Sequence, residues 1–212
     1  MGLDTPQEDY PLPVVVELKK GTVSGWQHVA LSDGSFFMLP IDVLHEQGWS
    51  EYGRHVDPAE AAARQSAAMY QRTERKALES LSRAEQGRRR LEQKLIAKGC
   101  PANIVRDVLD SLQERNLLSD TRFAETWARQ RLIRKGEGPR AVERGLMSRG
   151  ISNRTAAQAV RSVLDDEPQL LAAALHKAVQ RLSGRSSVKT RDQLIYQLRQ
   201  EGFESELILA VV

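Results

Sequence analysis

The chain has 212 residues, of which 28% are charged and 41% hydrophobic, and it contains no run of about 18 apolar residues that could span a membrane. Its first 13 residues, MGLDTPQEDYPLP, are acidic and lack the basic and apolar segments of a secretory signal. A single cysteine cannot form an internal disulfide, which suits a reducing compartment. We therefore expect a cytoplasmic protein that makes no use of a membrane.

The charge of the chain is divided unevenly along its length. Residues 1–70 hold 4 Lys and Arg against 10 Asp and Glu, whereas residues 71–212 hold 27 against 18. The first part therefore carries a net charge of −6 and the second a net charge of +9. This division predicts two parts with different partners, of which the basic part suits a polyanion such as nucleic acid.

The first predicted elements are β-strands between residues 13 and 40. The run VVVEL is rich in β-branched residues, and two later apolar runs flank Asp33-Gly34, a dipeptide typical of hairpin turns. We predict a small N-terminal β-hairpin unit over residues 1–56. A helix should follow, because Asp57 is a good N-cap and Pro58 suits the first helical position. Beyond residue 57 the pattern predicts helices only.

A short motif recurs three times in the helical part, as LIAKGC, LMSRGI and LRQEGF. A glycine just past a helix closes the last carbonyls in a left-handed conformation without a Cβ clash, so each motif predicts a helix end. The positions eight and four before each glycine and the one after it are apolar, which predicts a buried stripe and a core position for the cysteine. In chain order these positions and their glycines are Leu91, Leu95, Gly99 and Cys100; Val142, Leu146, Gly150 and Ile151; and Leu194, Leu198, Gly202 and Phe203.

A helical segment precedes each of these glycine helices, and another follows it. Units of this kind cannot bury their apolar faces alone, so neighbouring units stack. We predict a mainly α fold, with three tandem three-helix repeats in an elongated, curved array after the β-hairpin unit. The repeats span residues 57–118, which include a linker helix, residues 119–165 and residues 166–212.

Little in the sequence points to catalysis. The four histidines lie far apart without metal-ligand spacing. Asp107 and Asp110, and the run Asp165 to Glu167, could serve a nuclease only if they converged on metal ions, whereas exposed acids on helices are ordinary. The GEGP segment lacks the lysine of a phosphate-binding loop. We expect no enzymatic activity, no metal and no cofactor.

The basic residues carry the functional signal. Between residues 129 and 161 the chain holds nine Lys and Arg against two Glu, and eight of the nine are arginine, whose guanidinium group matches phosphate. Helical spacing predicts two basic faces on either side of a short turn that contains Gly136 and Gly138, a geometry able to straddle phosphates. A second arginine cluster lies in the first repeat. The predicted DNA-binding residues are Arg88, Arg89, Arg90, Arg131, Arg134, Lys135, Arg140, Arg144 and Arg149.

Two details refine this prediction. Arg131, Arg134, Lys135, Arg140 and Arg144 should project to one solvent-facing surface, because the apolar residues of their helices occupy the buried stripes. Phe123 and Trp127, four residues apart, are predicted to lie in the core, since no ladder of aromatic residues accompanies the arginines. The alternative is that these arginines are exposed to water on the helix surfaces and bind no phosphate.

The helical part resembles the RecX family, the bacterial modulators of the RecA recombinase. The most specific pieces are LLSDTRFAE at residues 117–125 and KGEGPRAVERGLMSRGI at residues 135–151, and the resemblance covers residues 74–212. It implies a monomeric protein that binds RecA filaments on single-stranded DNA, or also duplex DNA, and lies in the filament groove. It also implies that the protein restrains ATP hydrolysis and strand exchange, and so acts in recombination, DNA repair and the SOS response.

Two other classes of function remain open at this point. A sequence-specific regulator of transcription would need an exposed recognition helix and usually a dimer with fixed half-site spacing. A pure protein adaptor would bind a partner without contacting DNA. The sequence also leaves open whether a RecA modulator removes RecA, caps growing filaments or tunes them positively.

Overall fold

The computed structural model describes residues 12–184 and 190–212, and within them the chain forms three strands and ten helices. The mainly α fold with a small N-terminal β unit is therefore confirmed. The chain divides into two compact units, residues 1–74 and 75–212. Part of the predicted β-hairpin unit, residues 1–11 with Asp4, Glu8 and Asp9, lies outside the described residues.

The first unit is built on an antiparallel sheet of three strands, which lie side by side in chain order. The strands are β1 (Val15–Lys20), β2 (Trp26–Leu31) and β3 (Phe36–Pro40), and a bulge interrupts the pairing of β1 with β2. The turn between β2 and β3 contains Asp33-Gly34, as predicted. Asp33 accepts hydrogen bonds from the hydroxyl and the backbone N–H of Ser35, which lower the pKa of its carboxyl.

A short helix that the sequence analysis did not predict completes this unit. Helix α1 (Ile41–Glu46) follows β3 directly and buries Leu44 against the sheet. Six residues are too few to show a helical period, which explains why the apolar pattern did not indicate it. Asp57 directly precedes helix α2 (Pro58–Leu81), and its carboxylate accepts a hydrogen bond from the N–H of Ala59 at 2.8 Å, so the predicted N-cap is confirmed.

The second unit contains the end of α2 and eight further helices. Their order reproduces the predicted pattern of a leading helix, a glycine helix and a following helix. They are α3 (Arg88–Ala97), α4 (Ala102–Glu114), α5 (Asp120–Lys135), α6 (Pro139–Met147), α7 (Asn153–Asp166), α8 (Gln169–Ser183), α9 (Arg191–Glu201) and α10 (Ser205–Val211).

The glycine helices α3, α6 and α9 end as predicted. Gly99, Gly150 and Gly202 have φ values of +76°, +88° and +94°, the left-handed region that side chains rarely adopt. The predicted stripe positions are buried in all three copies, and Cys100 is only 3% exposed, so its core position is confirmed. This order of helices supports the proposed division into repeats after residues 118 and 165.

The starts of the glycine helices differ from one another. Gly87 and Gly138 precede α3 and α6 without a capping side chain, whereas Thr190 precedes α9 and forms a capping box with Gln193. Since Gly87, Gly138 and Thr190 each lie twelve residues before the helix-ending glycine, they occupy the same register position. The first two glycine helices therefore begin without a Cβ where the third has one.

Helix α5 lies at the centre of the second unit and packs against α6, α7 and α8. Its side chains Phe123, Ala124, Ala128 and Leu132 join one core with the buried residues of α6 to α10. Phe123 is 8% exposed, so its predicted core position is confirmed, while Trp127 is only partly buried at the edge of this core. The glycine helix α6 also packs against α9, the next glycine helix along the chain.

Candidate nucleic-acid interface

The three arginines that open α3 have different surroundings. The N–H of Arg88 donates to the Asp120 carboxylate at 2.7 Å, and its guanidinium pairs with Asp110 at 2.7 Å and with Gln113. Arg88 is thus held by protein groups. Arg89 and Arg90 are exposed, and within residues 12–184 and 190–212 neither has an ion-pair partner.

The basic residues of α5 are divided in the same way. Arg131 pairs with Glu137 at 2.6 Å, and its guanidinium lies 5.1 Å from the centre of the Trp127 ring. Arg134 and Lys135 are exposed in the last turn, where positive charge favours the helix dipole, and no acidic side chain of the described chain pairs with them.

Trp127 connects α5 to the end of α6. The Arg149 guanidinium lies 4.6 Å from the centre of its ring and donates a hydrogen bond to the Gly145 carbonyl at 2.7 Å. The edge of the indole lies where a Cβ of Gly145 would be, so a larger residue at position 145 would displace it. Two guanidinium groups, from Arg131 and Arg149, therefore share one ring.

Arg140 and Arg144 of α6 lie beside α9. The aliphatic stem of Arg140 covers Gly202, where an added Cβ would meet Cγ of Arg140 at 2.7 Å. Arg144 donates a hydrogen bond to the Gln200 carbonyl at 3.3 Å. The joint projection of these two arginines with Arg131, Arg134 and Lys135 to one surface stays a prediction.

The structure brings together three predicted residues that are distant in sequence. Arg89 and Arg90 of α3 line a cleft of about 460 Å³ with Arg149, which follows α6. Gln93 and Ser148 complete its lining; the Gln93 amide can donate a hydrogen bond, whereas the Ser148 hydroxyl donates to the Gly145 carbonyl at 2.8 Å. Sequence reasoning treated the arginines of α3 and of α6 as separate clusters and missed Gln93, Ser148 and Trp127, because only tertiary packing makes them neighbours.

Other sites considered in the sequence do not assemble a metal centre in the described part of the chain. No group of three or more His, Cys, Asp or Glu side chains there has a geometry that could hold a metal ion. Asp110 instead pairs with Arg88, and Glu167 pairs with Arg129 at 2.5 Å. Among the described helices, none is both long and apolar enough to cross a membrane.

Comparison with known proteins identifies the family. Residues 119–160 match the family model described as RecX, second three-helix domain. The regulatory protein RecX of Pseudomonas entomophila is 33% identical over 137 residues, which cover 63% of this chain and 85% of that protein. The chain belongs to the RecX family.

Other relatives in the RecX family match a shorter stretch. The regulatory protein RecX of Corynebacterium efficiens is 33% identical over 106 residues, and the chain spans about half of its length.

A crystal structure of regulatory protein RecX superposes with a TM-score of 0.61 at 20% identity, covering 94% of this chain and 98% of that one. This likeness supports the RecX fold over both the β unit and the helical repeats.

Proposed function

We propose that the chain is a non-enzymatic regulator that binds RecA filaments on DNA and restrains their ATP hydrolysis and strand exchange. Membership of the RecX family supports this role, because relatives carry the name regulatory protein RecX. The observation that carries the DNA contact is the cleft in which Arg89, Arg90 and Arg149 converge without a carboxylate partner in the described chain. Such an arrangement attracts an anion, because each guanidinium group can form charge-assisted hydrogen bonds with it.

The predicted DNA-binding residues divide into two groups in this proposal. Five of them contact phosphates directly, and no acidic side chain of the described residues pairs with them; they are Arg89, Arg90, Arg134, Lys135 and Arg149. The remaining four make no direct contact. Arg88 and Arg131 pair with carboxylates, whereas Arg140 and Arg144 have no acidic partner in the described chain but lie against the end of α9.

We further propose that the protein acts as a monomer in the cytoplasm, without a cofactor, on single-stranded or duplex DNA. Contacts with phosphate position a protein on nucleic acid but read no sequence. The chain should therefore follow RecA along DNA of any sequence.

The decisive experiment is the ATPase activity of RecA on single-stranded DNA, measured with and without this protein. We expect the rate to fall as the protein is added, and to fall less with a variant in which Arg89, Arg90 and Arg149 are changed to Gln. An ATPase rate that the wild-type protein leaves unchanged at saturation contradicts the proposed function.

The same measurements separate the two alternatives. A stand-alone DNA-binding protein would bind DNA and leave RecA unaffected, and footprinting on random and selected duplexes would reveal whether it reads sequence. A protein adaptor would inhibit RecA equally with wild-type and Gln-substituted clefts, and a salt titration with a DNA oligomer would show no binding.

A further inference from the structure

The second unit contains two junctions built from the same parts. At the first junction the start of α3 meets the turn around Gly150, and at the second the start of α6 meets the turn around Gly202. Arg89 and Arg140, each ten residues before the glycine of its own helix, lie with their stems over Gly150 and Gly202 respectively. The glycines thus end one helix and also make room for an arginine of the preceding repeat.

One register position distinguishes the two junctions. The residue before the turn glycine is Arg149 at the first junction and Glu201 at the second. The Glu201 carboxylate accepts a hydrogen bond from the N–H of Gly138 at 3.2 Å and pairs with Arg181 at 2.7 Å. The side chains of Arg181 and Glu201 are only 26% and 14% exposed. The second junction therefore contains its own anion.

The first junction has positive charge at the same position. Three arginines line its open cleft, and Arg149 is kept in place by the Trp127 ring and the Gly145 carbonyl. The start of α3 takes its carboxylate from Asp120, which binds the N–H of Arg88 and does not line the cleft. Three arginines on one cleft attract an anion, whose charge offsets the repulsion between them.

We propose that the cleft at the first junction binds a phosphate group of a nucleic-acid backbone, whereas the second junction binds none. This inference rests on the proposed function, since it names the group that the DNA-contacting surface takes. Guanidinium forks bind phosphate oxygens in pairs, and the Gln93 amide supplies a neutral donor. The Trp127 ring links Arg149 to Arg131, so the basic surface continues from the cleft along α5, as a polyanion requires.

The first test introduces a carboxylate into the cleft, as Glu201 does at the second junction. Gln93→Glu adds one negative charge without removing an arginine, and Gln158→Glu adds the same charge to an exposed position of α7 as a control. The probe is a fluorescent oligomer of 15 thymidylates, with affinity measured by anisotropy at several salt concentrations. We expect Gln93→Glu to weaken binding about tenfold, as for the loss of a charge-assisted hydrogen bond, and Gln158→Glu less than about threefold. Equal losses would show that only net charge matters and would overturn the proposal.

A second pair of variants removes the cations instead. Arg90→Gln with Arg149→Gln acts on the cleft, and Arg154→Gln with Arg161→Gln makes the same charge change on α7. The cleft pair should reduce the slope of log affinity against log salt by about 0.7 for each phosphate that the variant no longer neutralises. An unchanged slope, with folding verified by circular dichroism, contradicts the assignment.

Inorganic phosphate distinguishes a backbone phosphate from a free one. The Nε–Hε signals of the cleft arginines should shift in NMR spectra when the thymidylate oligomer is added, and much less with millimolar inorganic phosphate at matched ionic strength. Shifts with inorganic phosphate alone, together with equal oligomer binding by cleft and control variants, would overturn the backbone assignment. Because none of these measurements contains RecA, their outcome is independent of whether the protein restrains RecA.

Discussion

At the second junction a carboxylate, Glu201, lies between a helix start and Arg181, and the arginines of α6 pack against α9. At the first junction the equivalent residue is Arg149, and Arg89 and Arg90 of α3 are exposed and line a cleft. The backbone geometry of the two turns is nearly the same, since Gly150 and Gly202 have φ values of +88° and +94°. A repeat can thus keep its turn geometry while one residue changes the junction from one that contains a carboxylate to one lined by arginines.

We expect the largest difference in the free energy of unfolding when the residue before the turn glycine, Arg149 or Glu201, is changed at each junction. Glu201→Gln should lower the free energy of unfolding by about 2 to 3 kcal/mol, because it leaves the mostly buried Arg181 without its counter-ion. Arg149→Gln should cost less than about 1 kcal/mol, since it removes a cation–π interaction and relieves repulsion. Urea unfolding followed by circular dichroism measures both. Equal costs would remove the distinction between the two junctions.

The glycines before α3 and α6 provide the next comparison. A Cβ on Gly138 would overlap the Glu201 carbonyl and meet Cε2 of Phe203 at 2.8 Å, whereas one on Gly87 would meet Ile151 at 3.2 Å. We expect Gly138→Ala to lower the free energy of unfolding by about 1 to 3 kcal/mol, because the added methyl group overpacks the junction, and Gly87→Ala to lower it by less than about 1 kcal/mol. Thermal unfolding of the two variants gives the difference. A Gly87→Ala variant as unstable as Gly138→Ala would mean that the first junction is packed as tightly as the second.

A smaller effect is expected at the turn glycines. Gly99→Ala should lower the free energy of unfolding by about 1 kcal/mol, because its φ is positive and the space beside it is open. Gly150→Ala should cost more, about 1 to 2 kcal/mol, because its φ is also positive and the new Cβ would meet Cβ of Arg89 at 2.9 Å and displace that side chain. Gly150→Ala should therefore weaken binding of the thymidylate oligomer, and Gly99→Ala should not. If both variants bind the oligomer like wild type, the position of Arg89 is not set by Gly150.

The smallest change in stability should come from residues outside both junctions. Arg134→Ala together with Lys135→Ala should change the free energy of unfolding by less than about 0.5 kcal/mol, because both side chains are exposed and no acidic residue of the described chain pairs with them. DNA affinity should still fall, with a flatter salt dependence. An unaltered salt slope would confine the DNA contact to the cleft.

The helix ends could be predicted from sequence because their causes are local. The left-handed conformation at Gly99, the N-cap at Asp57 and the core position of Cys100 each depend on a few neighbouring residues. The small helix α1 was missed, since six residues show no period. The boundaries between the repeats stay proposals.

The site was less accessible to sequence reasoning. The arginines could be recognised by composition, but their partners come from other helices, as Asp110 does for Arg88. Aligning the repeats places Arg149 and Glu201 at one register position. That alignment does not reveal the ion pair of Glu201 with Arg181 or the cation–π contact of Arg149 with Trp127, because both contacts depend on how the helices pack.

The capping box at Thr190 has a consequence for association between molecules. The first two glycine helices receive a neighbouring turn because Gly87 and Gly138 leave room for Ile151 and Phe203. At the same position of α9 the Thr190 side chain is engaged with the N–H of Gln193. In place of Arg89 and Arg140 the helix has Asp192, whose short carboxylate side chain lacks the stem that covers a glycine. Helix α9 therefore lacks both features with which α3 and α6 receive a neighbouring turn, and we expect no turn of a second copy to pack there in the same way.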